Sequence, residues 1–411
     1  MKKILLDTSA SDVSSKGHKS KKILLVEPDY YTRYPPLGLL KLSSYHKAKG
    51  DEVLPLVRGR KFPKERPDMI YVTSLFSWAW PPVWDAVRYY KIQFPDVPVH
   101  LGGIYATLVP VHAARSGADK IVEGVVSEID QVRPDYSQVP EWDATLLFGS
   151  RGCPRKCGFC AVPKLEGAPF GLRYSIEDQL YPGHKRIVFF DNNILAVPNW
   201  SALFDELIRL DKIVDFNQGM DARCMSEDAA RKISNMRFQV IRMAWDYYGI
   251  KTYVTRAVEQ LGKFGVNPRK ITFYVLYNYQ DDPQDFFLRI KHLLNLGVVC
   301  YPMRFEPLCT LEKGRYVGPK WTKQELQTVQ LARRVIGYAG AFPPYEALVN
   351  KFNQSNSFAE AFDLKRRTVY EGQRSEPLEE MAAEHQMPVA RIKNYFPKWR
   401  KEPDWRRTRG K

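Results

Sequence analysis

The sequence predicts an α/β protein in three parts. These are an N-terminal Rossmann-like domain built on a parallel sheet, a partial TIM-like barrel of six βα units, and a helical, basic C-terminal region. Three observations predict it. From Lys22 onward, short apolar runs bounded by turn residues alternate with helical patterns. After a proline-containing linker the alternation resumes with a longer repeat. The chain has 411 residues, 44% of them hydrophobic, which is enough for two cores and excludes wholesale disorder.

Residues 1–21 are polar and rich in Ser and Lys, and read as a flexible N-terminus. The Rossmann-like domain is expected over 22–131. Lys22 to Pro28 is a buried strand closed by a turn signal, and Leu37 to Lys49 has helical apolar spacing ending at Gly50. Val53–Val57, Met69–Leu75, Val97–Leu101 and Ile121-Val122 read as strands, with a helix over Val83–Phe94. Residues 132–143 form the linker.

The barrel is expected over 144–310. Its candidate strands are Leu146–Ser150, Arg186–Phe190, Ile213–Asn217, Phe238–Ala244, Ile271–Leu276 and Val298–Phe305. Helical patterns lie between them at Trp200–Arg209, Asp228–Asn235 and Pro283–Leu296. Polar residues follow several strand ends: Asp191-Asn192-Asn193, Gln218, Asp246 and Asn278. Barrel active sites lie at that edge, although loops are polar in any case. Residues 311–411 turn helical, with patterns over Thr322–Ile336 and Pro344–Phe352, and end in a tail rich in Lys, Arg, Trp and Pro. Leu378–Tyr395, broken near Met387-Pro388, faintly suggests a helix-turn-helix.

Basic residues outnumber acidic ones 62 to 46, a net charge of +16 that favours anionic partners without specifying fold. No apolar run reaches the ~18 residues of a membrane span, and the apolar stretch after the basic start is too short for a secretory signal. The expected location is cytoplasmic, with no membrane association. Of six cysteines, Cys153, Cys157 and Cys160 sit together. A disulfide framework would spread them, whereas a cytosolic cluster of this kind binds metal.

The segment reads Gly149-Ser-Arg-Gly-Cys153-Pro-Arg-Lys-Cys157-Gly-Phe-Cys160. Three thiolates on one loop suit three irons of a [4Fe–4S] cluster. Gly152, Pro154 and Gly158 help the loop curl. With no fourth cysteine nearby, one iron is left open to substrate or cofactor, as on a catalytic zinc. Structural zinc, with Cys224 or His184 as fourth ligand, and a redox dithiol at Cys157–Cys160 are the competing readings.

This segment resembles the signature of the radical S-adenosylmethionine (radical SAM) enzymes: C-x-x-x-C-x-x-C with an aromatic residue before the last cysteine. Cys153, Cys157, Phe159 and Cys160 match each position. The family's fold is a partial six-stranded βα barrel, and the resemblance covers about Ala144 to Leu308. It implies that the three cysteines ligate the cluster and that the open iron chelates the amino and carboxylate groups of S-adenosyl-L-methionine. Phe159 would pack near the adenine. Asp191, Asn192 and Asn193 stand where the family often has Gly-Gly-Glu for the methionine amino group. Gln218, Asp221 and Arg223 would offer groups for ribose, carboxylate or substrate. Asp246 would meet the ribose, and backbone near Met303 the adenine. The implied chemistry is one-electron reduction by a partner such as flavodoxin or ferredoxin, cleavage of the sulfonium and formation of a 5′-deoxyadenosyl radical.

Pro35-Pro-Leu-Gly-Leu-Leu, Thr73-Ser-Leu75 and Gly102-Gly-Ile-Tyr-Ala-Thr-Leu resemble the class with an N-terminal cobalamin-binding-like domain. That class's D-x-H-x-x-G is missing, since neither His18 nor His46 has the Asp and Gly around it. The favoured expectation is a vestigial domain that caps the barrel or shapes the substrate site, with cobalamin the second. Cys224, Cys300 and Cys309 are expected to be buried apolar residues. Trp78, Trp80 and Trp84 are expected to pack in the core or between domains. Two functions follow: a radical SAM enzyme acting by methylation or another radical step on a substrate the sequence does not name, or a nucleic-acid-binding protein with a structural metal at the cysteines and a basic C-terminal tail.

Overall fold

The computed structural model describes residues 19–167, 170–171, 175–337 and 345–364. The start of the predicted flexible N-terminus, the basic tail and the helix-turn-helix-like stretch Leu378–Tyr395 lie outside the described residues. Among those described, no helix is long and apolar enough to cross a membrane.

The chain divides into two compact units, and the division differs from the predicted domain boundaries. The first runs to Arg242 and adds Lys263–Gly265 and Glu306–Tyr316. The second takes Met243–Gly262, Val266–Phe305 and the residues from Val317 on. The first unit therefore holds the Rossmann-like sheet together with the first barrel strands.

The N-terminal strands are β1 (Lys22–Glu27), β2 (Glu52–Val53), β3 (Val57–Arg58), β4 (Met69–Ser74), β5 (Val99–Gly103) and β6 (Lys120–Val122). They form one parallel sheet in the order β2-β1-β4-β5-β6, with β3 also on β1. The predicted strand Val53–Val57 is split into β2 and β3 around Pro55, which has no N–H for the ladder. Helices Leu37–Ala48 and Trp80–Gln93 supply the crossovers. Along β1, Leu24 and Val26 enter one core with Ile70, Val72, Val83 and Val87. Ile23 and Leu25 enter the other with Leu39. Both faces are thus covered, as a doubly wound sheet requires. Each buried aliphatic contributes about 1.5–3 kcal/mol relative to exposure.

The predicted linker is a packed connection. Asp135 N–H donates to Leu40 O (3.0 Å), and Asp135 caps the short helix Tyr136–Gln138. Tyr136 is buried, and its hydroxyl accepts from Leu146 N–H (2.5 Å).

Next come β7 (Ala144–Leu147), the short pair β8 (Ser150–Arg151) and β9 (Phe170–Gly171), then β10 (Arg186–Phe189), β11 (Ile213–Phe216) and β12 (Arg237–Phe238). Strands β7, β10, β11 and β12 form a parallel sheet in chain order, with Val188 opposite both Leu146 and Asp215. The helices Trp200–Leu210 and Glu227–Ser234 cross between them, the second capped by Ser226 on Ala229 N–H (3.1 Å). The predicted strand Phe238–Ala244 is two pieces, β12 and β13 (Ile241–Trp245), and the later strands are β14 (Ile271–Tyr277) and β15 (Val299–Arg304). The second sheet runs β13-β14-β15, and β14 and β15 are parallel over six residue pairs. Helices Lys251–Lys263 and Pro283–Asn295 connect these strands, and helices Lys323–Gly337, Tyr345–Gln354 and Phe358–Phe362 follow. The six-unit βα repeat expected of the partial barrel is present, each strand neighbouring its successor in chain order within its sheet.

Candidate functional site

The cysteine loop leaves the carboxyl end of β7 and is closed at its base. Strands β8 and β9 pair antiparallel, Ser150 opposite Gly171 and Arg151 opposite Phe170. Arg151 Nη1 donates to Glu166 Oε1 (2.9 Å), and Glu166 Oε2 accepts Gly152 N–H (2.7 Å) and Asn192 Nδ2 (2.9 Å). Arg151 also donates to both oxygens of Asp130 (3.1 and 2.5 Å), which pairs with Lys41 at 3.5 Å. The Arg151 guanidinium lies over the Phe148 ring, 3.2 Å from its centroid. Burial pulls the Lys41 ammonium down to about 8, against the pull of Asp130. Burial pushes the Asp130 carboxyl up, but Arg151 and Lys41 outweigh it and hold it below its ordinary value. A buried cation and two carboxylates therefore clasp the neck of the loop. Gly152 sits at φ +75°, a conformation that disfavours any residue with a Cβ.

Asp191 does not lie open to a ligand. It is 3% exposed, and its two oxygens accept Gly149 N–H (2.8 Å) and Ser150 Oγ–H (2.6 Å). Burial pushes this carboxyl up to about 7, against those hydrogen bonds. Asn192 is likewise committed, through Nδ2, to Glu166. Asp191 and the Asn192 amide nitrogen thus brace the loop. Asn193 is the member of the trio that reaches the cysteines. Its Nδ2 donates to Cys153 Sγ (3.5 Å) and to Asp221 Oδ2 (3.3 Å), while its Oδ1 is buried without a hydrogen-bond partner.

Asp221, just past β11, gathers the remaining charges. Arg155 Nε donates to its Oδ2 (2.9 Å), and Arg223 donates through Nε to Oδ1 (2.7 Å) and through Nη2 to Oδ2 (3.0 Å). Burial pushes Asp221 up, but the two guanidiniums outweigh it and hold the carboxyl below its usual range. Arg155 Nη2 also reaches Cys224 Sγ at 3.8 Å, and Arg155 N–H donates to Cys153 Sγ (3.4 Å). Within the loop, Cys160 N–H donates to Cys157 O (3.0 Å). Phe159 is half-buried on the loop and Gln218 is exposed just past β11. Asp246 and Met303 belong to the second unit. Asp246 follows β13 and is half-buried, and Met303 lies on β15 opposite Leu276, 40% exposed.

The donor set fits an iron–sulfur cluster. Three thiolates share one loop, N–H donors reach the Cys153 sulfur, and an unsatisfied carbonyl lies beside it. Among the described residues no group of three or more His, Cys, Asp or Glu side chains draws close enough to hold one metal ion. The thiolates of a cubane sit on separate irons and need no such convergence. His184 is not a ligand here. Its Nδ1 contacts Thr145 Oγ1 (3.0 Å), and its ring packs on Tyr136 and Tyr181.

The other cysteines divide. Cys300 is fully buried as expected, Cys224 is half-buried beside Arg155, and Cys309 is exposed. Cys309 departs from the expectation because it follows the last strand in a rim segment, where Sγ contacts only Leu108 O at 3.7 Å.

A second strand-end surface lies in the same unit. At the carboxyl ends of β1, β4, β5 and β6 the exposed large apolar residues are Tyr31, Phe76, Ile104 and Val125, beside the exposed Asp29, Arg33 and Glu123. Phe76 stacks on Trp78 with ring centroids 4.7 Å apart and planes 7° from parallel, and Lys313 lies 5.4 Å from the Trp78 centroid. Gly103, at φ +103°, approaches β4 so closely that a Cβ would stand 2.1 Å from Ser74 O. Trp80 and Trp84 instead pack with His112, which bonds Tyr105 (2.6 Å).

Sequence reasoning had missed Arg155, Glu166, Arg151 and Asp130. Arg155 was signalled by standing inside the cysteine motif. The other three carry no local pattern, because their partners are distant in the chain.

No family model matches the chain. A curated relative, ribosomal protein uS12 methylthiotransferase RimO of Pelobacter propionicus, is 29% identical over 79 residues. That match spans 18% of this chain and 17% of the relative's length. The solved structure of TsrM, a radical S-adenosylmethionine methyltransferase from Kitasatospora setae with cobalamin and a [4Fe–4S] cluster bound, is similar over 76% of each chain, with TM-score 0.55 and 14% identity. OxsB, a cobalamin-dependent S-adenosylmethionine radical enzyme solved in the apo form, is matched over 83% of this chain and 56% of its own, with TM-score 0.38 and 14% identity. The likeness to TsrM is one of fold.

Proposed function

We propose that the chain is a radical SAM enzyme that holds a [4Fe–4S] cluster on Cys153, Cys157 and Cys160 and reductively cleaves S-adenosylmethionine. The observation that carries this reading is the three-cysteine loop at the carboxyl edge of a βα sheet whose fold matches TsrM. When bound, the cluster supplies the electron that breaks the sulfonium and yields a 5′-deoxyadenosyl radical, with methylation or another radical step as the outcome. The chain's own residues bind and orient. Asn193 Oδ1, buried and unpartnered, suits the methionine ammonium. Arg155 and Arg223, both paired with Asp221 beside the cysteines, are the cations nearest in kind to what the methionine carboxylate needs. Phe159 on the loop suits the adenine. The contact that the resemblance implies for Gln218 belongs to the same reading, while those for Asp246 and Met303, in the second unit, rest on the resemblance alone.

In this reading cobalamin moves ahead of the vestigial domain. The strand order β2-β1-β4-β5-β6 is the doubly wound type that binds ligands at its strand ends. A broad, flat macrocycle suits the apolar residues there. The missing D-x-H-x-x-G means that no histidine from that motif would ligate cobalt. No observation favours the nucleic-acid-binding reading with a structural metal at the cysteines and a basic C-terminal tail.

Anaerobic reconstitution tests the proposal. The expected product is brown, with about four irons per chain and broad visible absorption. Cys157→Ala should lose both the cluster and 5′-deoxyadenosine release. A colourless, zinc-loaded protein, or cleavage that survives Cys157→Ala, would overturn it. Incubation with cobalamin, gel filtration and a spectrum decide the second cofactor.

A further inference from the structure

We infer that Asn193 is a positioning residue that sets the reduction potential of the cluster through the Cys153 sulfur. The inference rests on the cluster reading above and goes beyond it. Asn193 is 3% exposed and follows β10, on a different element from the cysteine loop. Its Nδ2 stands 3.5 Å from Cys153 Sγ and 3.3 Å from Asp221 Oδ2. The orientation of the amide follows from its surroundings. Turned over, it would set Oδ1 against a thiolate and a carboxylate, both of which only accept. Asp221 is itself held by Arg155 and Arg223, so the amide cannot swing toward it without losing the sulfur.

The consequence is electrostatic. One-electron reduction makes a cluster more negative, and an N–H aimed at a ligating sulfur stabilises the reduced state more than the oxidised one. Two donors serve Cys153 Sγ: the Arg155 backbone N–H, which no substitution of side chain removes, and the Asn193 amide, which one does. Burial strengthens the second, because little water competes for the sulfur.

The test is a redox titration of the reconstituted full-length protein without S-adenosylmethionine, poised with dithionite and followed by visible absorption and electron paramagnetic resonance. Asn193→Ala should keep its iron content and melting temperature while its midpoint moves negative. The expected size is about a tenfold fall in the reduced-to-oxidised ratio at fixed potential, 59 mV for a one-electron couple. Asn193→Leu, similar in volume but with no donor, should match it. Asn193→Ser, with a donor on a shorter arm, should fall between these and the wild type. If Asn193→Ala sheds its cluster, Leu and Ser carry the test by the same criterion. Unchanged midpoints in loaded variants overturn the role of Asn193 and leave the cluster reading intact. A wild-type protein that takes up no cluster overturns both.

Discussion

Two strand-end surfaces in the first unit follow the same topological rule and differ in chemistry. Both lie at the carboxyl ends of parallel strands. At β7, β10 and β11 the edge is charged and tightly hydrogen-bonded, with Arg151, Glu166 and Asp130 at the neck of the loop and Asp221, Arg155 and Arg223 beside the cysteines. At β1, β4, β5 and β6 large apolar side chains are exposed, Tyr31, Phe76, Ile104 and Val125, with fewer ion pairs among them. The difference teaches that a parallel sheet supplies the location of a site and the loops supply its ligand class. The first edge presents paired charges around the cysteine loop. The second leaves large apolar side chains exposed.

The comparison can be broken or sharpened by substitution at either edge. The largest effect is expected at the cysteines: Cys157→Ala should abolish iron binding, and leave corrinoid retention at the other edge unchanged. Loss of both on gel filtration would mean that the two edges are one site. Next is the clasp. Arg151→Met removes one partner from buried carboxylates, a change that costs about 3–5 kcal/mol where charges are left unpaired. A thermal melt should drop accordingly, with iron lost on desalting, and a melt within a degree of wild type would show that the clasp is dispensable.

Asp191 offers a pH test. Its folded carboxyl titrates near 7, above the ordinary 3.8, so the fold favours the protonated form. The stability it contributes is full below the unfolded value and is lost as pH rises through the folded one. Wild type should therefore lose stability between about pH 4 and 7, with a slope of at most ~1.4 kcal/mol per pH unit from this group. Asn at 191 keeps an acceptor for Gly149 N–H and should lack that part of the slope. Identical denaturation profiles for the two proteins would remove Asp191 from the argument. The smallest effect is at the apolar edge. Phe76→Ala takes away one ring of a stacked pair, worth about 0.5–1.5 kcal/mol, and should weaken cobalamin retention two- to tenfold with little change in melting.

Much of the fold was legible because it follows local periodicity. Lys22–Glu27, Arg186–Phe189 and Ile271–Tyr277 are apolar runs of strand length between turn signals, and they form the strands expected of them. The split of Phe238–Ala244 was not legible. Arg237–Phe238 pairs with β11, while Ile241–Trp245 joins β14, and choice of partner is a long-range matter. That Cys153, Cys157, Phe159 and Cys160 share one loop was legible because they lie within eight residues of each other. The roles of Asp191, Asn192 and Asn193 were not. Three adjacent polar residues look equivalent in sequence, yet one braces Gly149, one holds Glu166 and one reaches Cys153.

The sequence by itself determined the chemistry on offer: three thiolates with an aromatic neighbour at fixed spacing, two sets of alternating strands and helices, and a basic surplus of +16. Covalent spacing alone brings groups a few residues apart into one loop, so no tertiary information is needed to read them. The tertiary structure decided which polar groups are spent and which are left over. Asp130 meets Arg151 across 21 residues and Asn193 meets Cys153 across 40, and these pairings exist only once the sheets have formed. In a buried site a hydrogen bond made to the scaffold is one withheld from a ligand, and that accounting is three-dimensional.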